Sequence, residues 1–279
     1  MNNKSNPLVS IIIPTYNHDK FLNKALNSVI GQSYKNWEAI IIDNNSTDET
    51  DNILSKYSDS RIIKLKINNN GIIAKSRNLG IKEAKGEWVA FLDSDDWWTE
   101  DKLEICLHNI NNSVDFLYHD LEVIDYKSNL FFKKKNLKGR QLNKPILQDL
   151  LYGVINEGNA IGNSSVLVRK NILSKIGGIS ENKNLVASED YNTWLRIAQI
   201  TDKFKYIKKK LGFYFVHESS AQKKDLSIPH KEAVNDFYYL FNSKQKLNFD
   251  VKLKYMSATY KFQNNNYIDS KKDLMFIFI

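Results

Sequence analysis

The sequence predicts an α/β fold, a mostly parallel central sheet flanked by helices, with a C-terminal helical extension. Three observations predict it. Short, continuously apolar, β-branched runs alternate with stretches of helical period; strands buried on both faces read this way, whereas one-sided strands alternate apolar with polar residues. These runs stop at polar or acidic residues, as at Asp43 and at Asp93-Ser94-Asp95-Asp96, and open α/β sheets bind ligands outside the carboxyl ends of their strands. From about Ser227 the texture is helical.

The first strand is Leu8–Ile13, stopped by Pro14, with a turn over Pro14-Thr15-Tyr16-Asn17. A helix follows with Phe21, Leu22, Ala25, Leu26, Val29 and Ile30 on one face, and Gly31 ends it. Trp37–Ile42 is the second strand; Ser46-Thr-Asp-Glu49 has the form of a capping box opening a helix through Tyr57. Arg61–Ile67 is the third strand, and a helical stretch carrying Lys75, Arg77 and Asn78 runs to Gly86. The fourth strand begins at Trp88 and meets the acidic cluster; a helix covers Thr99–Asn111. Beyond it, strands are expected at Val114–His119 and Ile161–Val168, with a short helix at Gln148–Tyr152 and a basic, aromatic loop at Phe131–Asn136. A helix at Asn171–Ile176 stops at two glycines, and another over Tyr191–Ile200 is preceded by Ser188-Glu189-Asp190. Two short strands, Phe204–Ile207 and Gly212–Val216, lead to His217, and helices at Ala233–Phe241 and Val251–Phe262 to the apolar end Leu274–Ile279.

Apolar residues make up 42% of the chain, with 14 Phe, 14 Tyr and 5 Trp, enough for a sizeable core. Cys106 is the sole cysteine, so an intramolecular disulfide and a cysteine zinc site are both excluded. A reducing cytoplasm fits this count. Residues 1–7 lack the apolar core of a signal peptide, and no uncharged run reaches the roughly 20 residues that span a bilayer. Net charge is +8, which suits phosphorylated substrates, nucleic acid or an anionic membrane and does not choose among them. The lysines are dispersed among asparagines, a pattern that biased base composition also produces.

Three carboxylates within four positions, at the end of an apolar run, repel one another unless solvent or a counter-charge intervenes. A solvated acidic turn and a divalent-cation site both fit. Asn17, Asp43 and Asp93–Asp96 fall on one sheet edge, where one ligand can reach all three.

Taken in order, Pro14-Thr-Tyr-Asn17, Ile42-Asp-Asn-Asn-Ser-Thr-Asp48, Phe91-Leu-Asp-Ser-Asp-Asp-Trp97 and Ser188-Glu-Asp190 with Trp194-Leu-Arg196 closely resemble family 2 glycosyltransferases of GT-A fold. The resemblance covers about residues 7–220, including Gly71–Gly80 and Tyr214-Phe-Val-His217. It implies an inverting enzyme that moves a sugar from a UDP-sugar to an acceptor hydroxyl. It implies a GT-A domain over 1–222, with a nucleotide-binding half of about 7–112 and an acceptor half of about 113–222, ahead of the helical extension 223–279. Pro14, Thr15, Tyr16, Asn17, Asp43 and Asn44 would hold base and ribose. Asn44-Asn45 stands where members often show Asp-Gly, which loosens uridine specificity. Lys75 and Arg77 would lie near the nucleotide or diphosphate, the alternative being a solvated helix face, and Asp93, Ser94 and Asp95 at the metal-diphosphate corner. Asp95 is the main expected ligand of Mn²⁺ or Mg²⁺, with Asp93, Asp96 and His217 as further candidates. Asp190, with Glu189 beside it, would be the base. Phe215 replaces the basic residue that usually precedes the histidine, which weakens its assignment. Trp97 and Trp98 would stack on a sugar or pack the sheet edge; His18, His119 and Cys106 read as structural. The acceptor would be a glycan or lipid-linked oligosaccharide of a bacterial surface polysaccharide, with peripheral contact to an anionic membrane and no nucleic acid.

A nucleotidyltransferase would carry a Gly-rich phosphate loop after the first strand, and that slot holds Pro-Thr-Tyr-Asn-His. A nucleic-acid-binding protein would carry a recognisable motif or clustered basic residues. A non-catalytic sugar-nucleotide binder is disfavoured by the retention of Asp95 and Asp190.

Overall fold

The structure, a computed structural model, describes residues 6–125, 136–137, 159, 161–218, 220 and 224–275. Strands β1 (Val9–Thr15), β2 (Trp37–Asp43), β3 (Ile62–Lys66) and β4 (Trp88–Phe91) lie side by side in the order β3-β2-β1-β4, all parallel. Their crossovers carry α1 (Asp19–Ile30), α2 (Thr50–Ser55) and α3 (Ile73–Glu83). The period-2 geometry of a strand sorts one continuous apolar run into two cores. Ile11, Ile13, Ala39 and Ile41 point toward α1, α2 and α4 (Lys102–His108). Ile12, Ile40 and Ile42 point toward α3. Gly80 permits that contact to be close, since a Cβ there would fall 2.7 Å from Ile12 Cγ2.

Past β4 the sheet becomes mixed. The short β5 (Trp97–Trp98) is its far edge, and β6 (Phe116–Asp125) also pairs with β7 (Asn136–Leu137). β8 (Leu167–Arg169) inserts antiparallel between β4 and β6. After it come α5 (Lys170–Lys175), α6 (Glu189–Ala198) and β9 (Phe204–Val216), which runs parallel to β6. Helices α7 (Ser227–Asn235), α8 (Ser243–Gln263) and α9 (Tyr267–Met275) complete the described chain. A third core joins Tyr191, Leu195 and Ala198 of α6 to Ala233 and Val234 of α7 and to Phe249 and Leu253 of α8. The terminal helices thus brace the helix that begins with Glu189-Asp190.

Four local expectations are corrected. The two strands expected at Phe204–Ile207 and Gly212–Val216 are one strand: Ile207 pairs with His119 and Lys210 with Asp120, so Lys208 and Lys209 form the excess of a β-bulge. Ile161–Val168 is mostly not strand; a 3₁₀ turn occupies Asn163–Ser165, where Ser165 Oγ donates to the Gly162 carbonyl. The Ser46 capping box does not form, because Ser46 Oγ and N–H both donate to Asp43 Oδ1, and α2 starts only at Thr50. Helix α7 opens earlier than Ala233, and a 3₁₀ turn covers Tyr238–Leu240. The basic stretch 131–135, the helix expected at 148–152 and residues 276–279 lie outside the described residues.

Lys102 is buried within this core, its Nζ 3.7 Å from the Trp98 ring centre and without a hydrogen-bond partner. Burial pulls its pKa down to about 8. The folded state therefore disfavours the protonated form, and stability rises as pH climbs from about 8 toward the unfolded value of 10.5. Replacing a desolvated, unpaired ammonium with a thioether of similar length removes that cost. Lys102→Met is expected to raise stability at pH 7 by about 1–3 kcal/mol, read from urea unfolding, with the gain shrinking above pH 9. A loss of stability would show that the cation–π contact outweighs desolvation.

Candidate active site

The carboxyl ends of β1 and β4, the turn before α6 and the end of β9 enclose a cleft of about 510 Å³. Its first wall is the turn after β1. Asn17 adopts φ 50°, a left-handed conformation that asparagine tolerates better than most residues. Its Oδ1 accepts from Thr47 N–H at 2.8 Å and its N–H donates to Ser46 Oγ at 2.9 Å. Asn17 therefore ties the β1 turn to the β2 turn and does not line the cleft, while Pro14, Thr15, Tyr16 and Asn44 do. Asp43 is buried, with Oδ1 held by Ser46 and Oδ2 unpartnered in the protein; Thr15 Oγ1 is likewise unpartnered. The Asn44 side-chain oxygen accepts from Asn69 N–H, committing it to the loop.

The four residues Asp93–Asp96 divide their tasks. Asp93 Oδ1 accepts from Arg77 Nη2 at 2.8 Å and from Asn163 Nδ2 at 2.9 Å. Asp96 turns away from the cleft, buried, accepting from Ser164 Oγ and from Phe215 N–H. Burial first, and then the charges of Asp95 and Asp93, raise its pKa well above the carboxylate range. With both oxygens bonded inside the protein and the side chain out of the cleft, Asp96 drops out as a metal candidate. Ser94 Oγ bonds His18 Nδ1 at 2.8 Å, and Asp95 Oδ2 bonds His217 Nε2 at 2.9 Å.

His18, Asp95 and His217 each present a ligand atom within 4.8 Å of the others. Phe21 packs on the His217 ring at 4.7 Å between centres, fixing its plane. One carboxylate and two imidazoles suit a first-row transition ion, Mn²⁺ included, better than Mg²⁺, which holds to an octahedral oxygen shell. The donor set fits a metal, with His18 in place of Asp93 and Asp96. His18 was expected to be structural; its position directly after the Pro-Thr-Tyr-Asn turn at a strand's carboxyl end is the signal that marked it. Asp95→Ala and His217→Ala are expected to weaken Mn²⁺ binding at least about tenfold, because even outer partners of metal ligands are worth about 10–100-fold. Paramagnetic titration in the presence of UDP reads this, and unchanged affinity in both variants would exclude the site.

Arg77 was expected near the diphosphate or on a solvated helix face. It is buried in α3, which excludes the solvated face, and it lines the cleft, bridging Asp93 and Glu189. Burial lowers its pKa, but the two carboxylates outweigh it and the net shift is upward. Lys75, two residues earlier, is half-buried and does not line the cleft. Trp97 stacks on Phe213 and Trp98 donates to the Ser164 carbonyl, so both pack the sheet edge. Cys106 and His119 are buried as expected.

Across the cleft stands Asp190, at the start of α6. Asn159 Nδ2 donates to both of its oxygens at 3.0 Å, and the Tyr191 N–H donates to Oδ1 at 2.7 Å. Desolvation, and next the Glu189 charge, push its pKa up to about 7, against the lowering effects of Asn159 and Arg77. A carboxyl poised near neutrality suits a general base. Ala187, which lines the same cleft, holds φ 72°, unusual for a residue with a Cβ. Asn159 escaped sequence reasoning because it lies 31 positions from the acid it clamps, within a stretch without local pattern.

A sheet of this order with a cleft of about 510 Å³ at its carboxyl edge, metal-capable on one side and with a carboxyl poised near neutrality on the other, suits a group-transfer enzyme. The model of Glycosyl transferase family 2 matches residues 10–173. The Escherichia coli UDP-Glc:alpha-D-GlcNAc-diphosphoundecaprenol beta-1,3-glucosyltransferase WfaP is 34% identical over 213 residues, covering 76% of this chain and 79% of that one. A second E. coli enzyme described in the same words, WfgD, is 32% identical over 191 residues, covering 68% and 69%. Among solved structures, S. aureus TarS 1-349 in complex with UDP-GlcNAc superposes with TM-score 0.62 at 17% identity over 95% of this chain and 90% of that one. A longer TarS chain gives TM-score 0.63 at 21% identity, over 91% of this chain and 43% of that one. The fold is GT-A. The chain belongs to glycosyltransferase family 2 and is a glycosyltransferase.

Proposed function

We propose that this enzyme transfers a sugar, with inversion, from a UDP-sugar to a hydroxyl of a lipid-linked glycan in bacterial surface polysaccharide synthesis. The observation that carries the reading is the placement of Asp190, raised toward neutrality, in one cleft with the Asp95–His217–His18 corner. Two E. coli relatives carry names that specify a UDP-glucose donor and a diphosphoundecaprenol-linked acceptor, and a structural neighbour was solved with UDP-GlcNAc. These support the substrate classes.

The nucleotide-binding half, about residues 7–112, holds the donor. Asp43 Oδ2 and Thr15 Oγ1, unpartnered in the protein, are acceptors for base and ribose donors. His18, Asp95 and His217 would hold the divalent ion, which when bound neutralises charge developing on the diphosphate. In the acceptor half, about 113–222, Asp190 takes the proton of the acceptor hydroxyl. The hydroxyl oxygen forms the new bond to C1 as the C1–O bond to diphosphate breaks, and that electron pair leaves with UDP. Asn159 and the Tyr191 N–H hold the carboxylate in position. Arg77 pairs with Glu189 and ties this second acid to the donor-side Asp93. Among the described residues no helix is long and apolar enough to cross a membrane, and a lipid-linked acceptor would be met from the membrane's cytoplasmic face.

Incubation with UDP-glucose, UDP-GlcNAc and related donors plus Mn²⁺ and a lipid-diphosphate sugar acceptor tests the reading. UDP release that needs both acceptor and metal is expected. Equal release in EDTA would overturn the metal role, and transfer from GDP- but not UDP-sugars would overturn the donor class.

A further inference from the structure

Nine of the twelve exposed large apolar side chains among the described residues lie after residue 227, although the sheet domain is much the larger part. On α8, Leu247, Val251, Tyr255 and Phe262 fall within roughly an 80° sector at about 100° per residue. Leu247, Tyr255 and Phe262 are each about 60% exposed, whereas Phe249 and Leu253, on the opposite side, are buried against the body of the protein. Helix α9 lies over Ala258, which falls inside this sector and is buried, with Ser270 Oγ donating to the Ala258 carbonyl, so α9 covers part of the stripe and Tyr255 and Phe262 stay exposed beside it. Tyr267 meets Phe262 edge to face at 5.2 Å, and Ile268 is 74% exposed beside it. This surface carries a net positive charge: residues 243–275 contain seven lysines against three aspartates and no glutamate, with Lys254 and Lys261 paired to Asp273 and Lys272 to Asp269. Lys244, Lys254, Lys271 and Lys272 are exposed around it.

Tyrosine and phenylalanine rings ringed by lysine are the composition of surfaces that lie in a membrane interface, apolar groups entering the headgroup region while ammonium groups meet anionic lipid. We propose that this α8–α9 face docks on an anionic bilayer. Charge selects lipid over a second copy of the chain, since a two-fold interface would set one lysine-rich face against another. The placement is also functional, and here the inference rests on the proposed lipid-linked acceptor. Helix α7, whose His230 lines the cleft, packs between α6 and α8, so docking through α8 and α9 brings the acceptor side of the cleft to the membrane.

Co-sedimentation of the intact chain with phosphatidylcholine vesicles, with and without phosphatidylglycerol, tests it. Binding to the anionic vesicles is expected, weakening at high salt. A Tyr255→Ser, Phe262→Ser, Ile268→Ser variant is expected to bind at least about tenfold less, and a Lys244→Glu, Lys271→Glu variant likewise, each with unaltered thermal melting and UDP binding. Absence of binding to anionic vesicles would overturn the proposal, as would binding that neither variant changes. Concentration-dependent dimers in ultracentrifugation, lost in the serine variant, would assign the face to a second copy and also overturn it. Transfer to a short, water-soluble acceptor is measured in parallel: its failure counts against the proposed reaction alone, and its persistence in the serine variant leaves docking as the function lost.

Discussion

Asp190→Asn is expected to lower turnover by about 10²–10⁴-fold, the range a positioned base contributes, while leaving UDP binding unchanged. The amide keeps the shape but accepts no proton, and the donor corner at Asp95 is built from other strands. In the parent enzyme, kcat/KM should rise about tenfold per pH unit below about 7 and level off above it, as the carboxyl loses its proton. The stability linkage has the opposite sign. The folded-state pKa lies above the unfolded 3.8, so the unfolded chain releases the proton first. Stability attributable to Asp190 falls as pH rises from about 4 to about 7 and stays low above that. Asp190→Asn should therefore melt no lower than the parent at pH 8. A variant that loses activity because it unfolds would mark Asp190 as a structural residue at the start of a helix.

The second large effect is on folding. Arg77→Met removes the only cation bonded to Glu189 among the described residues and one of the two side chains bonded to Asp93. Breaking such a buried pair from one side costs about 3–5 kcal/mol, because the remaining charge stays desolvated. Arg77→Lys should recover only part of this, since one ammonium does not reproduce the two-pronged guanidinium contact. Urea denaturation reads both. A change under about 0.5 kcal/mol for Arg77→Met would mean that Glu189 and Asp93 relax into water. The pair also spans the cleft, since Asp93 follows β4 on the donor side and Glu189 opens the helix of the acceptor side, so residual Arg77→Met protein should lose activity as well.

The donor half was legible in the sequence because its signals are local. Strand runs such as Ile11-Ile-Ile13 and Ile40-Ile-Ile42 are apolar on both faces, and each stops at the residue that reaches the sheet edge. Beyond about residue 112 the helices and most strands were legible from pattern, whereas the site was legible only through resemblance. Glu189-Asp190 looks like an ordinary acidic first turn, and what sets Asp190 apart is its burial at the cleft and the clamp from Asn159, which no spacing rule connects to it. The carboxylates from Asp93 to Asp96 were visible as a cluster but not as a division of labour. Which of them faces a ligand depends on Ser164 and the Phe215 amide, both far away in sequence, taking Asp96 out of the cleft. His18 was not singled out for the same reason, since its partners Ser94 and His217 arrive from two other strands' ends.

The central claim is that the hydroxyl attacks from the Asp190 side while UDP departs on the Asp95 side. The anomeric configuration of the product, read by proton NMR after transfer from an α-linked UDP-sugar, tests it most directly. A β-linked product is predicted. An α-linked product would contradict the account, because attack and departure would then share one face of the sugar.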